Sequence, residues 1–320
     1  MPASFFSLVN SNGSDIRITE SDEQTELPYE LVRIDAGSQT GELHFKAPSL
    51  LLSTTTTFYL YYGSSTASAY ADTDTYGRDN VWTNDYRAVY HFDLAEGGTG
   101  QANTYTDSSG NGNHGDDQIT ATGKSGIVGR GQQFDPSSVD YIPIPNNTIN
   151  GISDITTAVW YRSTDNNQFH PFLSAANAGQ SNEYLFWLDG ASDQVELFSH
   201  SVSGKEIFNI TDVYDDSWNY FVMIKDNANS IARFYLNGSE DNESPDAELV
   251  NPLNVASGGL MIGQEQDCVG GCFDSNQALN GYLDEMRISD AVRSAGWIAN
   301  SYRNQSNPTS FYTIGSVQTN

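Results

Sequence analysis

Apolar and polar residues alternate in short runs along most of the chain, with Gly, Asn, Asp and Pro gathered between the runs. A period of two sends successive side chains to opposite faces, so each run reads as a half-buried strand closed by a turn. The first runs fall at residues 4–9, 15–19, 27–35, 42–47 and 56–62. Past a small, polar, acidic stretch at 64–79, a longer series occupies 88–93, 126–134, 155–161, 172–174, 183–188, 194–200, 206–210, 219–225, 231–236, 260–262 and 281–288. Asn237-Gly238 predicts a hairpin turn, because both residues tolerate positive φ. One stretch, 294–303, predicts a helix: Ser294 can cap it, and Trp297, Ile298 and Tyr302 give it an apolar face. Residues 311–317 alternate again and predict a final strand returning to the first series. The fold class expected is all-β, an antiparallel β-sandwich preceded by a smaller β module.

Two stretches carry most of the candidate chemistry. In Gly281-Tyr-Leu-Asp-Glu-Met-Arg-Ile288, strict alternation groups Tyr282, Asp284, Met286 and Ile288 on one face, facing in, and Leu283, Glu285 and Arg287 on the other. A carboxylate facing in requires a cation or several N–H donors to offset its desolvation. The turn-forming stretch Asp107-Ser-Ser-Gly-Asn-Gly-Asn-His-Gly115 offers both oxygens and backbone donors.

Charge and length narrow the partners. At 320 residues the chain has room for two domains, and 38% hydrophobic content supports a packed core. A formal charge of −27 with only four Lys repels nucleic acid and anionic membranes, excluding both as partners; it favours cations and solubility at high salt. No run of about 18 apolar residues is present, so no spanning helix is expected. The opening Met1-Pro-Ala-Ser-Phe lacks a basic-then-apolar pattern; an exported chain would have its signal peptide outside these residues.

The blocks Tyr90-His-Phe-Asp93, Asp107 to Gly115, Ala158-Val-Trp-Tyr161, Trp218, Phe234-Tyr-Leu-Asn-Gly238 and Gly281 to Ile288 together resemble the laminin-G-like, concanavalin A-type jelly rolls of bacterial surface proteins. Gly13-Ser-Asp-Ile-Arg-Ile18, Leu27-Pro-Tyr-Glu30 and Phe58-Tyr-Leu-Tyr-Tyr-Gly63 resemble a domain of unknown function, DUF2341, that often precedes such modules. The expected layout is a DUF2341-like module at 1–78, partial or shortened, and a jelly roll at 79–320. The resemblance implies a structural Ca2+ where loop oxygens meet the aspartate of the Asp-Glu strand. Carried over by position, its ligands are Asp107, Asn111 and Asp284, with Asp93 as a further candidate. It also implies a secreted or surface-displayed part of a larger adhesin or pilus-associated protein.

No enzyme is expected. Adjacent strand residues such as Asp284 and Glu285 point to opposite faces and cannot form a glycosidase pair. His44, His91, His114, His170 and His200 are scattered, with no nucleophile elbow and no zinc-binding helix motif. A sugar site needs an aromatic ring beside carboxylates or amides. In Glu183-Tyr-Leu-Phe-Trp-Leu-Asp189, Tyr184, Phe186 and Leu188 share one face, while Glu183, Leu185, Trp187 and Asp189 share the other, mixed one. Trp187 is the candidate platform, with Glu183, Asp189, His170 and His200 around it, whereas Trp160 and Trp218 read as core. Cys268 and Cys272 read as a small-loop disulfide, two free thiols being the alternative. Glu265, Asp267 and Asp274 beside them read as solvated carboxylates, a cation site being the alternative. The function expected is lectin-like carbohydrate binding without catalysis. A structural spacer or protein-binding module is the second reading and a polysaccharide-active enzyme the third.

Overall fold

The computed structural model describes residues 1–50, 54–93, 99–199, 205–211, 213–245, 249 and 252–318. The chain divides into two compact units, the first comprising Met1–Asn84, Ser108–Gly110 and Thr313–Asn320, the second Asp85–Asp107 and Asn111–Tyr312.

The first unit contains two antiparallel strand pairs, Arg17–Thr19 with Tyr59–Tyr61 and Tyr29–Asp35 with Thr40–Phe45. Its small core gathers Phe5, Val9, Ile16, Ile18, Leu27 and Tyr29. The run at 4–9, expected as a strand, is instead a helix, Ala3–Leu8. Phe5 and Val9 are four residues apart, so a helical turn buries both on one side, and the Val9 N–H closes the turn on the Phe5 carbonyl.

The second unit is a β-sandwich. One sheet has the order Ser239–Pro245, Ile231–Leu236, Asn219–Asp226, Ile155–Arg162, Gly281–Ser289, Tyr86–Tyr90, with Gln132–Phe134 also pairing on Gly281–Ser289. The other runs Lys205–Asn209, Gln194–Ser199, Gln180–Asp189, Phe169–Asn177, Leu260–Ile262, Ile142–Pro143. Between them lies a core that includes Val159, Tyr161, Phe172, Phe186, Leu188, Phe221 and Phe234. Alternation produces this layering: along Ile155–Arg162, Val159 and Tyr161 enter the inter-sheet core, while Ala158 and Trp160 face away from it.

That second face is buried too. The helix Ala295–Ser306 covers it, capped by Ser294, whose hydroxyl accepts from the Trp297 N–H. Ile298 packs against Trp160, Tyr220 and Val222, and the Trp160 indole donates to Gln305 Oε1 at 2.7 Å. The alternation expected at 311–317 does not form a strand. Pro308 opens a short helix, Pro308–Phe311, and residues 312–318 continue without strand pairing. Tyr312, Ile314 and Val317 are each about half exposed, so no buried face selects the strand conformation there.

One irregularity decides where the Asp-Glu pair points. Against Ile155–Arg162, the register of Gly281–Ser289 shifts between Asp284 and Arg287, and Glu285 takes a left-handed φ of 50°. The extra residue is a β-bulge, which reverses the parity of the strand beyond it. Leu283, Met286 and Ile288 therefore enter the inter-sheet core, whereas Asp284 pairs beside Trp160 on the outer face. This corrects the expected grouping of Asp284 with Met286 and Ile288, and it removes parity as the argument against an Asp284–Glu285 pair.

Candidate cation and ligand site

The carboxylates expected to bind calcium are engaged elsewhere. Asp284 Oδ2 accepts from the Ile127 and Val128 N–H groups at 2.8 and 2.9 Å, and Oδ1 from the Glu285 N–H at 2.9 Å. Asp107 accepts from the Val89 and Asn113 N–H groups, both at 3.0 Å, while its own N–H donates to His114 Nδ1. Asn111 donates its side-chain amide to the Tyr86 carbonyl at 2.8 Å. Asp93, half-buried, lies near enough to Lys124 to raise that ammonium's pKa, although burial outweighs it and holds Lys124 down at about 8. Among the described residues, neither Asp93, Asp107 and Asp284 nor Glu265, Asp267 and Asp274 bring three carboxylate oxygens together, so the choice between the two places rests on which oxygens lack donors. A cation at the first place would have to displace backbone donors one by one, so its residues do not fit a calcium ion; they tie loops to strands. Glu285 likewise is held by Arg287 and His91, leaving neither member of the Asp-Glu pair aimed at a common cleft.

The loop after Leu260–Ile262 is different. Its ends are pinned by the Glu265 N–H on the Gln277 carbonyl and the Leu279 N–H on the Gly263 carbonyl, at 3.0 and 2.9 Å. The Gln264 amide donates to the carbonyls of Glu265 and Asp274, which turns its Oε1 away from both. Gln264 Oε1, Glu265 Oε2 and Gln277 Oε1 are buried without a hydrogen-bond partner, as is Asn182 Oδ1 on the Gln180–Asp189 strand. Glu265 is 2% exposed. Burial, and after it the charges of neighbouring Asp267 and Asp274, push its carboxyl up to about 7. A buried carboxylate oxygen without a donor is costly; a proton or a hard cation relieves it, and Ca2+ takes six to eight such oxygens from carboxylates, amides and carbonyls. These residues fit the ion that Asp107, Asn111 and Asp284 do not. Reading Glu265 as solvated is thereby corrected, while Asp267 and Asp274 are exposed. Sequence reasoning missed Gln264 and Gln277. The available signal was the run of oxygen side chains from Gln264 to Asp267, with no Lys or Arg between Arg233 and Arg287.

The ligand candidates are divided by the fold. Trp187 is 7% exposed, its ring stacked on Phe169 at 4.3 Å and edge-on to Phe198, its indole donating to Glu196 Oε2 at 2.9 Å. Lys205 holds the other oxygen of Glu196 at 2.7 Å. Glu183 is fully buried and accepts from the Asn177 side chain and the Asn254 N–H, so it offers a ligand nothing. His170 is also buried, receiving the Asn280 N–H on Nδ1 and donating from Nε2 to the Asp165 carbonyl. Asp189 is half-buried, accepting from the Ala191 N–H, and His200 lies outside the described residues.

Loop and aromatic cluster nevertheless share a face. Ser174 pairs across the sheet with Leu185, which belongs to the Trp187–Phe198 cluster on the outer side of the six-stranded sheet. Gln266 reaches Ser174 and the Gly259 carbonyl with its amide, so the cation loop folds over that same side. The disulfide Cys268–Cys272 is formed within it, with Cα atoms 5.4 Å apart.

Burial pushes the His170 pKa down to about 4. Between that value and its ordinary one near 6.5 the unfolded chain binds more protons, so stability is lost as pH falls through this window. A fall of up to about 3 kcal/mol is expected from this group. Urea denaturation at pH 7 and pH 4.5 measures it, and a His170→Asn chain should lose distinctly less over the same interval.

A two-sheet antiparallel sandwich with buried oxygens and aromatic rings gathered on one outer face has the architecture of a jelly roll. Residues 136–299, half of the chain, match the model of the Concanavalin A-like lectin/glucanases superfamily, and the chain belongs to that superfamily. Residues 12–107 match DUF2341, a domain of unknown function. Neuronal pentraxin-2 of Homo sapiens is 28% identical over 146 residues, covering 45% of this chain and 32% of that protein. C-reactive protein 3.3 of Limulus polyphemus is 25% identical over 179 residues, covering 54% of this chain and 72% of its own length. The chain thus spans about a third of the neuronal pentraxins it matches. Domain 4 of the extracellular arabinanase AbnA from Geobacillus stearothermophilus, solved with arabinotriose, superposes with a TM-score of 0.50 at 16% identity, over 68% of this chain and 97% of that one. The binding domain of botulinum neurotoxin serotype G does so with a TM-score of 0.52 at 13% identity, over 69% and 51%. These two likenesses concern the fold. No helix among the described residues is long and apolar enough to cross a membrane.

Proposed function

We propose that the second unit is a lectin-like, non-catalytic carbohydrate-binding module of a secreted or surface-displayed bacterial protein, and that a calcium ion completes its binding face. The observation that carries this reading is the buried, unpartnered Oε2 of Glu265 between Gln264 and Gln277. When bound, the cation supplies positive charge and open coordination for hydroxyl or anionic oxygens. Glu265, Gln264 and Gln277 would hold it, with Asp267 and Asp274 completing the set. In a chain of formal charge −27, such an ion also relieves local repulsion. The arabinotriose carried by the AbnA domain and the lectin membership of the superfamily support a sugar as ligand. The Phe169–Trp187–Phe198 cluster, with Trp187 and Phe198 closed to solvent, backs the same face from within the sheet. The disulfide supports an extracellular setting.

The test is a glycan array probed with the full chain, once in calcium and once in chelator, alongside Glu265→Gln. Selective binding lost both on chelation and in the variant is the expected result. Binding indifferent to calcium would leave a lectin whose site lies elsewhere. Silence under all conditions would overturn the carbohydrate reading in favour of a protein-binding or spacer module.

A further inference from the structure

We propose that the Cys268–Cys272 disulfide is a redox clamp on the cation loop, so that its reduction weakens cation binding at Glu265. The inference rests on the cation reading above and adds a regulation to it. Both cysteines are exposed and only four residues apart, within reach of a reductant in solution. Asp267 immediately precedes the bridge, and Asp274 lies two residues beyond it. The bond, with its Cα atoms 5.4 Å apart, therefore holds side by side the two chain segments that carry these acids on either side of the turn.

Few hydrogen bonds restrain the turn itself, although Phe273 just beyond it packs on Tyr141 with ring centroids 4.8 Å apart. Gly271 N–H closes it on the Cys268 carbonyl at 3.0 Å, and Gly270 N–H donates to Gln266 Oε1 at 2.8 Å. Cys272 sits at a φ of 57°, a conformation that a non-glycine residue holds only when its surroundings impose it. Breaking the bridge frees that residue. It also returns closure entropy to the loop and lets Asp267 and Asp274 repel one another outward. The chemistry balances with a dithiol reductant. One of its thiolates attacks a cysteine sulfur and breaks the S–S bond, its second thiol resolves the mixed disulfide, and two cysteine thiols form as the reductant closes to its own disulfide.

Calorimetric calcium titrations of the oxidised chain, the dithiothreitol-reduced chain and a Cys268→Ser/Cys272→Ser chain test the proposal. Hydrogen exchange at the Gly270 and Gly271 amides, measured without calcium, is the second readout. Calcium Kd is expected to rise by about tenfold to thirtyfold in both unbridged forms, the upper figure being the full closure entropy of so short a loop. The two glycine amides should exchange faster, while amides of the Ile155–Arg162 strand stay protected. Equal Kd values with and without the bridge overturn the clamp and leave the cation site standing. An oxidised chain that takes up no calcium overturns the cation reading and the clamp together.

Discussion

Chelating calcium is expected to lower the melting temperature of the wild-type chain by about 5–10 °C and to leave that of Glu265→Gln nearly unmoved. A ligand present at a hundred times its Kd adds about 2.7 kcal/mol to the folded state, and each kcal/mol shifts the midpoint of a domain this size by about 2–4 °C. Glu265→Gln removes the charge that draws the ion while keeping the shape. It also removes the buried carboxylate, so without calcium the variant should match or exceed the wild type. Asp284→Asn should show the full wild-type drop on chelation, because Asp284 is occupied by the Ile127 and Val128 N–H groups rather than by an ion. The same oxygen sets the pH dependence. With its pKa pushed up to about 7, Glu265 keeps a proton that the unfolded chain releases above about 4.5. The calcium-free protein therefore loses stability as pH rises through that interval, whereas calcium affinity rises over it, since the ion must displace the proton. Thermal melts at pH 5.5 and 8, with and without calcium, measure both slopes. A chelation drop that persists in Glu265→Gln would move the ion to another site.

Much of the sandwich is legible because alternation is the physical signal of a two-faced sheet. The parity assigned to residues 183–189 holds: Tyr184, Phe186 and Leu188 fill the inter-sheet core, and Leu185 and Trp187 face outward. Outward is not exposed, however. Phe169, Phe198 and Glu196 surround Trp187 from its own sheet, a contact between strands that no single run of residues announces. Parity itself fails at Glu285, because a bulge turns on one left-handed φ at a residue type that rarely adopts it. The cation loop shows the same boundary between local and tertiary information. Its acids are evident in the sequence. That one of them is sealed from solvent, beside amide oxygens without donors, depends on how Gln266 anchors the loop to Ser174 and Gly259.

Asp284→Ala is expected to cost about 3–5 kcal/mol, and Asp284→Asn distinctly less. Asp284 is fully buried, and its carboxylate gathers the N–H groups of Ile127, Val128 and Glu285, stitching the 126–131 segment to the Gly281–Ser289 strand. Alanine leaves those donors inside the fold without acceptors, each costing about 1–3 kcal/mol, whereas the asparagine carbonyl still serves part of the set. The approach is too close to be rearranged around a new side chain. A Cβ added at Gly126 would stand 2.8 Å from Asp284 Oδ2 and 2.6 Å from the Gly131 nitrogen, so Gly126→Ala should be destabilising through the same contact. Combining Gly126→Ala with Asp284→Ala should then cost less than the sum of the two, because the first has already loosened what the second unties. Urea unfolding of the four chains measures the cycle. Strict additivity, or a loss below about 1 kcal/mol for Asp284→Ala, would mean that the loop is held by other contacts and that the aspartate is available for a different role.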